Sequence, residues 1–384
     1  MIARRKVALS DLVEFENSKR SPLSTAERAK RPGPYPYHGA AGILDYIDDY
    51  KFDGLFVLVG EDGTVIDERG APVLQLVRGK FWVSNHAHVI RMTNDVDTLW
   101  LYYALRNSQI GPFLSGSVQP KLSLGNLKRL EISVPYARER REIAKRLGAL
   151  DDKIESNLSS IQIQHELLSL EFQRILSGSD KVYVPLNDIA QLAKGVSYKS
   201  VDLMPSATAL VTLKSIDRNG GYKADGLKPY VGPYKPTQLV KPGEIVVAQT
   251  DLTQGAEVVG RAVRVPGSPH VGTLVASLDL VIARPKGNIS SEYLLGVLTH
   301  EPFRQHCRNR TNGTTVLHLA SDAIPTYLAP MVHPDAQESF AQYSSSVHAL
   351  IDSLTLENST LFALRDSLLP EMLSGRVHVG DAAR

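Results

Sequence analysis

The sequence of 384 residues is short of cysteine, since Cys307 is the only one. One cysteine cannot form a disulfide within the chain, and this scarcity is typical of a reducing cytoplasm. The sequence also lacks a run of about 18 apolar residues, so we expect no membrane-spanning helix. Its N-terminal stretch lacks the apolar core of a secretory signal. These absences predict a soluble, cytoplasmic protein, and the length predicts two or three domains.

Motifs of several enzyme classes are absent as well. The sequence has no Asn-Pro-Pro-aromatic or Asp-Pro-Pro-aromatic loop of an amino-methyltransferase, no Walker A loop and no G-x-S-x-G elbow. His86 and His88 alternate along a predicted strand, where hydrogen-bonded structural histidines are commoner than metal ligands. His300, His306 and Cys307 do not share one helical face, which disfavours zinc. We therefore expect no catalytic residue and no metal site in this chain.

Charge is unevenly distributed, although the net charge is only +2. Residues 121–146 hold eight basic and three acidic side chains, and residues 194–264 hold ten basic and six acidic ones. Residues 44–68 are the reverse, with eight acidic side chains and one lysine. Basic stretches of this kind are usually solvated faces, and a minority form phosphate-binding surfaces.

Two long segments have apolar residues at alternating steps of three and four, which is the period of a helix. They run from Pro135 to "RILSG" at 174–178 and from Pro334 to "EMLSG" at 371–375. Two consecutive steps of four, through Ile154 and Leu158, predict a stutter in the heptad. Pro370 should bend or loosen the last turn of the second helix. The predicted helix-pair interface comprises Leu147, Leu150, Ile154, Leu158, Ile161, Leu168, Val347, Leu350, Leu354, Leu361, Leu364 and Leu368.

The sequence upstream of each predicted helix also repeats. "SGSVQPKLSLGNLKRLEISVP" corresponds to "RTNGTTVLHLASDAIPTYLAP", and Gly116 to Gly178 spans as many positions as Gly313 to Gly375. The segments that precede them contain short apolar runs bounded by Gly, Asp and Asn, which predict β-rich domains. The expected order is a first globular domain at 1–133, a spacer helix at 134–179, a second globular domain at 180–333, a second spacer helix at 334–378 and a tail at 379–384.

Two helices of about 40 residues each would expose an apolar stripe unless they packed together. The chain crosses a whole globular domain between them, so the return can be antiparallel. This predicts an α+β fold in which two β-rich domains are separated by two long antiparallel coiled-coil helices, with a pseudo-twofold internal repeat. The alternative is a helical hairpin that only joins two domains, and periodicity does not discriminate between them.

With these elements in order, the sequence resembles the DNA-specificity subunits of type I restriction–modification systems. The matching motifs include "YPYHGAAGILDYIDDYKFDG", "FWVSNHAHVI" and "IAKRLGALDDKIESN" in the first half, and "KPGEIVVAQT", "ISSEYLLGVLTHEPFRQHC" and "LENSTLFALRDSLLPEMLSG" in the second. The resemblance covers residues 9–377. One departure is Arg140, which follows Glu139 where family members often have glutamine, whereas the second copy keeps that residue as Gln337.

The resemblance implies a non-catalytic subunit with two target-recognition domains, each of which reads half of a split sequence in double-stranded DNA. It also implies that the paired helices dock two methyltransferase subunits, which use S-adenosylmethionine, and that restriction subunits use ATP and Mg for translocation. This chain itself would hold no cofactor. Two other hypotheses remain open at this stage, namely a coiled-coil scaffold with two protein-binding domains and an enzyme with an unrecognised site.

Candidate DNA contacts follow from side-chain chemistry, because base edges are read by Arg, Lys, Asn and Gln and phosphates take any cation. Each candidate competes with the simpler interpretation of a solvated loop residue, and the resemblance assigns none of them. In the first domain they are Arg31, Tyr35, Tyr37 and His38, on a loop expected to be mobile, and Lys121. In the second domain they are Lys194, Tyr198, Lys199, Lys214, Arg218, Lys223, Gln249 and Gln254.

Overall fold

The computed structural model describes residues 4–116, 119–218, 220–252, 255–267, 271–313 and 316–377. The chain divides into two compact units, of which the first comprises residues 1–156 and 357–384 and the second residues 157–356. The division cuts both long helices. Each unit therefore contains one globular domain together with part of each helix.

The first globular domain is built on a six-stranded sheet with strand order β2-β7-β5-β6-β3-β4, in which only β3 and β6 pair in parallel. A separate antiparallel pair joins β1 to β8. The strands are β1 (Arg5–Ala8), β2 (Glu14–Phe15), β3 (Pro32–His38), β4 (Ile43–Ile47), β5 (Phe52–Gly60), β6 (Leu74–Val83), β7 (Ala87–Arg91) and β8 (Glu131–Val134). The helices are α1 (Thr25–Ala29), α2 (Asp95–Arg106) and α3 (Leu124–Arg129).

The first long helix, α4 (Ala137–Ser177), follows this domain and ends immediately before Gly178. The second long helix, α8 (Pro334–Ser374), is also 41 residues long and ends immediately before Gly375. The helical conformation of α8 continues past Pro370. None of the helices in the described part of the chain is long and apolar enough to cross a membrane.

The second globular domain carries a four-stranded antiparallel sheet with order β10-β18-β14-β16. A second sheet has order β12-β11-β17-β13, a third has order β15-β20-β19, and β9 pairs with β21. The strands are β9 (Val182–Pro185), β10 (Ala190–Lys194), β11 (Thr208–Val211), β12 (Lys228–Pro229), β13 (Leu239–Val240), β14 (Ile245–Ala248), β15 (Thr250–Asp251), β16 (Ala262–Arg264), β17 (Thr273–Ala276), β18 (Leu280–Pro285), β19 (Thr311–Asn312), β20 (Leu317–Leu319) and β21 (Leu328–Met331). The helices are α5 (Leu186–Ile189), α6 (Ser291–Thr299) and α7 (Glu301–Arg308).

The internal repeat is present in the strand order of the two domains. The order β2-β7-β5-β6 of the first sheet corresponds to β10-β18-β14-β16 of the second, and the pair β1–β8 corresponds to β9–β21. The equivalent loops also share a glycine constraint. Gly116 and Gly313 both have positive φ, and a Cβ at either position would lie within 2.4 Å and 2.1 Å, respectively, of a backbone oxygen three residues later. Only glycine fits either position, which explains why the motif recurs.

Within each unit the two long helices pack in opposite directions. In the first unit Ile143 of α4 shares a core with Leu369 and Met372 of α8, while Asp151 pairs with Arg365 at 2.6 Å. Residue numbers therefore increase along α4 in the direction in which they decrease along α8, which makes the two helices antiparallel in this unit.

The two long helices are also antiparallel in the second unit. Phe172 lies 5.1 Å from Phe340 between ring centroids, and Leu168 clusters with Val347 and Ile351. The predicted antiparallel pairing is confirmed within both units.

Part of the predicted helix interface is wrong. Leu158, Leu350 and Leu364 are about half exposed, at 52%, 45% and 43%. Asn157 and Arg365 are buried instead, at 2% and 6% exposed. At Leu158 and Leu364 the inward position is taken by the polar Asn157 and Arg365, whereas at Leu350 it is taken by Ile351, which is 8% exposed.

The predicted stutter is wrong for the same reason. Leu147, Ile154, Ile161 and Leu168 are seven residues apart and at least half-buried, which is an unbroken heptad. Of the other predicted interface residues, Leu147, Ile154, Leu168 and Val347 are buried, and Leu150, Ile161, Leu354, Leu361 and Leu368 are half-buried.

Candidate nucleic-acid interface

Two of the DNA contacts predicted in the first domain are wrong. Tyr37 and His38 lie in β3 rather than in a mobile loop, and they are 1% and 5% exposed. The Tyr37 hydroxyl accepts a hydrogen bond from the Leu23 backbone N–H at 2.9 Å. His38 Nδ1 lies 2.7 Å from the Gln75 side-chain oxygen, and burial lowers the pKa of His38. Both side chains support the domain from within, so neither is available to a nucleic acid.

Arg31 and Tyr35, by contrast, are half-buried and partly accessible at the surface of the same domain. The Arg31 guanidinium lies 2.8 Å from Asp48 and stands over the Trp82 ring, 5.5 Å from its centroid. The Tyr35 ring lies 5.1 Å from the Tyr50 ring. Part of the acidic run at residues 44–68 is therefore compensated by arginines of its own domain.

Two lysines that were not predicted lie beside this group. Lys51 Nζ is 4.8 Å from the Trp82 centroid, and Lys80 Nζ is 4.5 Å from the Tyr50 centroid. A hydrogen bond with Tyr50 raises the pKa of Lys80. Exposed cations beside aromatic faces suit a polyanion such as nucleic acid. The position of Lys80 follows from its pairing with Asp53 across β5 and β6. Sequence analysis missed it because this pairing depends on strand register rather than on local sequence.

Lys121 lies beside a network of buried charge. Its Nζ is 3.6 Å from Glu61, which also accepts a hydrogen bond from Arg20 at 2.9 Å. His88, beside Glu61, is completely buried, and one ring nitrogen lies 2.8 Å from the Leu122 carbonyl. Burial is the main cause of the lowered pKa of His88. His88 is thus a structural residue. The Lys121 side chain is about half exposed and forms an ion pair with Glu61.

The predicted residues of the second domain are mostly exposed. Lys194, Lys199 and Lys214 are exposed, while the half-buried Tyr198 accepts a hydrogen bond from Lys228 Nζ at 3.3 Å. The structure thus leaves these three lysines accessible to an anion.

The remaining candidates of this domain make contacts within the protein. Arg218 lies 3.1 Å from Glu257, and Lys223 lies 4.0 Å from Asp217. The Gln249 side-chain amide donates to the Leu278 carbonyl at 2.9 Å, so its readout of bases would require breaking that bond. Gln254 lies outside the described residues.

This domain also contains a cluster of arginines that the sequence analysis did not predict. Arg261 precedes β16, whereas Arg304 and Arg308 lie on α7, and all three donate hydrogen bonds to the backbone carbonyls of Ala256 and Glu257. We call these three residues the arginine cluster. Arg304 and Arg308 fall outside both basic stretches of the sequence, so charge counts could not have found the cluster.

The site residues offer chemistry suited to binding an anion. Over the described residues, no group of three His, Cys, Asp or Glu side chains is arranged to hold a metal ion. Cys307 is buried, and burial raises the pKa of its thiol to about 12, which removes it as a nucleophile at neutral pH. What remains are exposed cations and aromatic rings on two β-rich domains of repeated topology.

This combination of a repeated β-rich domain and two long helices can be compared with known proteins. Residues 4–164 match the family model described as the type I restriction modification DNA specificity domain. Over these residues the chain is similar to that family, in agreement with the resemblance drawn from the motifs.

Curated relatives agree with this assignment. A type I restriction enzyme specificity subunit of Haemophilus influenzae is 35% identical over 142 residues, which are 37% of this chain and 36% of that protein. The MjaVIII specificity subunit of Methanocaldococcus jannaschii is 18% identical over an alignment that covers 97% of this chain and 92% of that protein. The first alignment thus spans little more than a third of the relative.

A solved structure shows the same fold over nearly the whole chain. The S subunit of a type I restriction–modification system from M. genitalium superposes with a TM-score of 0.58 and 16% identity. The superposition covers 97% of this chain and 96% of that one. At this identity the comparison supports the architecture, which is the fold predicted from the repeat.

Proposed function

We propose that this chain is the sequence-specificity subunit of a type I restriction–modification complex, in which each globular domain reads one half of a split DNA target. The observation that carries the proposal is the duplication of sheet order, β2-β7-β5-β6 and β10-β18-β14-β16, within one chain. Two similar domains with different surface residues suit two different half-sites. The match of residues 4–164 to a DNA specificity domain supports DNA as the ligand.

The paired helices would set the distance between the half-sites. A helix of 41 residues is about 60 Å long, whereas one turn of duplex is about 34 Å. In the proposed complex, a spacer of this length would suit half-sites one or two turns apart. The sequence between the half-sites would then remain unread.

The outer faces of the helices would dock two methyltransferase subunits. Ile163, Leu167 and Leu170 of α4 are 52%, 40% and 59% exposed, and their spacing of four and three places them on one face. An exposed apolar stripe of this kind suits a partner protein. In the proposed complex these partners supply S-adenosylmethionine chemistry, restriction subunits supply ATP- and Mg-dependent translocation, and this chain supplies DNA recognition.

A coiled-coil scaffold with two protein-binding domains is the alternative. The family match to a DNA specificity domain disfavours it, and the two functions differ in one measurable property. Binding to DNA weakens steeply with salt because counterions are released, whereas apolar protein docking does not. An enzyme acting alone is the least supported function, because the sequence lacks the methyltransferase, Walker A and G-x-S-x-G motifs.

The test is a methylation map. The chain is co-expressed with a candidate modification subunit, and methylated adenines are located across the host genome. We expect one asymmetric motif made of two short half-sites separated by a fixed gap. A continuous motif, or no new methylation with a modification subunit that is active with another specificity subunit, would refute the proposal.

A further inference from the structure

The arginine cluster of the second domain surrounds two backbone carbonyls. Arg308 Nε donates to the Ala256 carbonyl at 3.0 Å. The Glu257 carbonyl accepts from Arg261 Nε at 2.6 Å and from Arg304 Nη2 at 3.2 Å. Each guanidinium has five N–H donors, so each retains further donors after this contact.

Local sequence explains how the cluster forms. Arg304 and Arg308 are four residues apart on α7 and share one face, while Phe303 and Cys307 are completely buried. Gly260 has a φ of 75°, and a Cβ there would lie 2.5 Å from Cys307 Cβ. Only glycine lets the chain approach α7 this closely, and the next residue is Arg261. The cluster is therefore built by the fold rather than by flexible surface side chains.

The positive charge of the cluster is only partly compensated. Glu301 and Asp217 attract Arg261, but their effect on its pKa is smaller than that of desolvation and the neighbouring arginines. Arg304 lies 3.9 Å from the exposed Glu301, and Asp251 attracts it more weakly. The Glu257 carboxylate, which could have neutralised the cluster, lies 3.1 Å from Arg218 instead.

Burial and mutual repulsion act on these groups together. Desolvation is the first cause, and the neighbouring arginines the next, of the lowered pKa of Arg261 and of Arg304. Arginine stays protonated at neutral pH, so the fold holds like charges close together. The Arg304 Nε is also buried without a hydrogen-bond partner among the described atoms. An anion with several acceptor oxygens would relieve the repulsion and provide that partner.

We propose that Arg261, Arg304 and Arg308 bind a phosphate group of the DNA backbone. This inference rests on the proposed function and adds a contact that positions the second domain on the duplex. Phosphate contacts fix register and orientation without reading sequence. Exposed Lys214, on the same domain, adds to the attraction for a polyanion.

The test compares DNA binding by the full chain and by an Arg304→Gln, Arg308→Gln double variant. Glutamine keeps an N–H donor for the carbonyls but removes the charge. Fluorescence anisotropy is measured with a random-sequence duplex of about 30 base pairs over a range of salt concentrations. For a lost phosphate contact we expect roughly tenfold weaker binding at low salt and a slope of log K against log salt that is smaller by about one. The matched control is Arg310→Gln, which removes a charge already paired with Asp322 at 2.8 Å, and it should leave both quantities unchanged.

Each other outcome is decisive. A double variant that keeps the wild-type melting temperature and binds DNA with wild-type affinity and slope overturns the inference, while the proposed function stands. Wild-type protein that binds no duplex overturns both. A variant that binds DNA normally but loses binding to polyglutamate shows a site for an acidic protein, which also overturns the inference. If the double variant does not fold, Arg308→Gln alone is measured in the same way, with the same two results expected and the same result contradicting them.

Discussion

At the scale of residues, Arg365 is the most constrained charge in the helix pair. Its side chain is 7% exposed and lies 2.6 Å from Asp151 and 2.9 Å from Asp366. The Tyr103 hydroxyl donates to Asp151 at 2.6 Å, which ties α2 to the same group. Removal of Arg365 would take away the cation beside Asp151, whereas Asp366 would keep Arg69 at 2.6 Å.

We therefore predict that Arg365→Ala lowers the free energy of unfolding of the full chain by about 3 kcal/mol. The control is Arg376→Ala, since Arg376 is 68% exposed and its pair with Glu371 is worth at most about 1 kcal/mol. Denaturant unfolding followed by circular dichroism gives both values. Equal effects of the two substitutions would show that the buried network does not hold the first unit together.

Buried histidines give the second unit a defined pH dependence. Burial lowers the pKa of His348 to about 4, and its ring faces Arg264, His165 and Asp352. Because the folded-state pKa lies below the unfolded value of about 6.5, the unfolded state binds more protons as the pH falls. Stability contributed by neutral His348 is complete above about pH 6.5 and is lost as the pH falls towards 4.

The corresponding prediction concerns unfolding at pH 7 and at pH 5. The wild-type chain should lose stability over this interval, and His348→Gln should remove up to about 1.4 kcal/mol per pH unit of that loss. His333→Gln is the control, because the His333 side chain is 74% exposed. Parallel pH profiles for wild type and His348→Gln would contradict the assignment.

At the scale of elements, the long helices show what a sequence pattern can and cannot establish. The apolar period and the terminal glycines predicted both helices with nearly correct ends. The prediction of the helix interface was wrong at Leu158, because Asn157 occupies the inward-facing position instead. A count of apolar residues cannot recognise a buried polar residue, whose burial depends on hydrogen bonds made across the fold.

The corrected register predicts different costs for two neighbouring apolar residues on α4. Ile154→Ala should destabilise the chain by about 2–4 kcal/mol, since Ile154 is 4% exposed. Leu158→Ala should cost less than about 1 kcal/mol, because Leu158 is 52% exposed. Urea unfolding of both variants decides between the unbroken heptad and the stutter. A larger effect at Leu158 would favour the stutter.

The candidate DNA-binding surfaces were harder to predict than the helices. Lys194, Lys199 and Lys214 of the second domain are exposed and Arg31 is half-buried, so these four remain predictions. Tyr37 and His38 were misjudged, because a Pro- and Gly-rich sequence that reads as a loop forms β3 through pairing with β4 and β6. The arginine cluster was missed, because Arg261 meets α7 only through a tertiary contact at Gly260.

At the scale of the whole molecule, the repeat would let one chain serve a split target under the proposed function. Sequence showed the duplication in the glycine-containing loops and the helix ends, whereas sheet order extends it through both domains. The domain surfaces differ, since Arg31 and Tyr35 of the first domain and the arginine cluster of the second have no shared motif. Duplicated scaffolds with different surfaces are what independent reading of two half-sites requires.

The most direct test exchanges one domain at a time for that of a related chain and maps adenine methylation with the same modification subunit. Replacement of residues 1–133 should change one half of the split motif and leave the other half unaltered. Replacement of residues 180–333 should have the reciprocal effect, with the gap preserved in both chimaeras. A change in both halves, or in neither, would contradict the account of two independent reading domains.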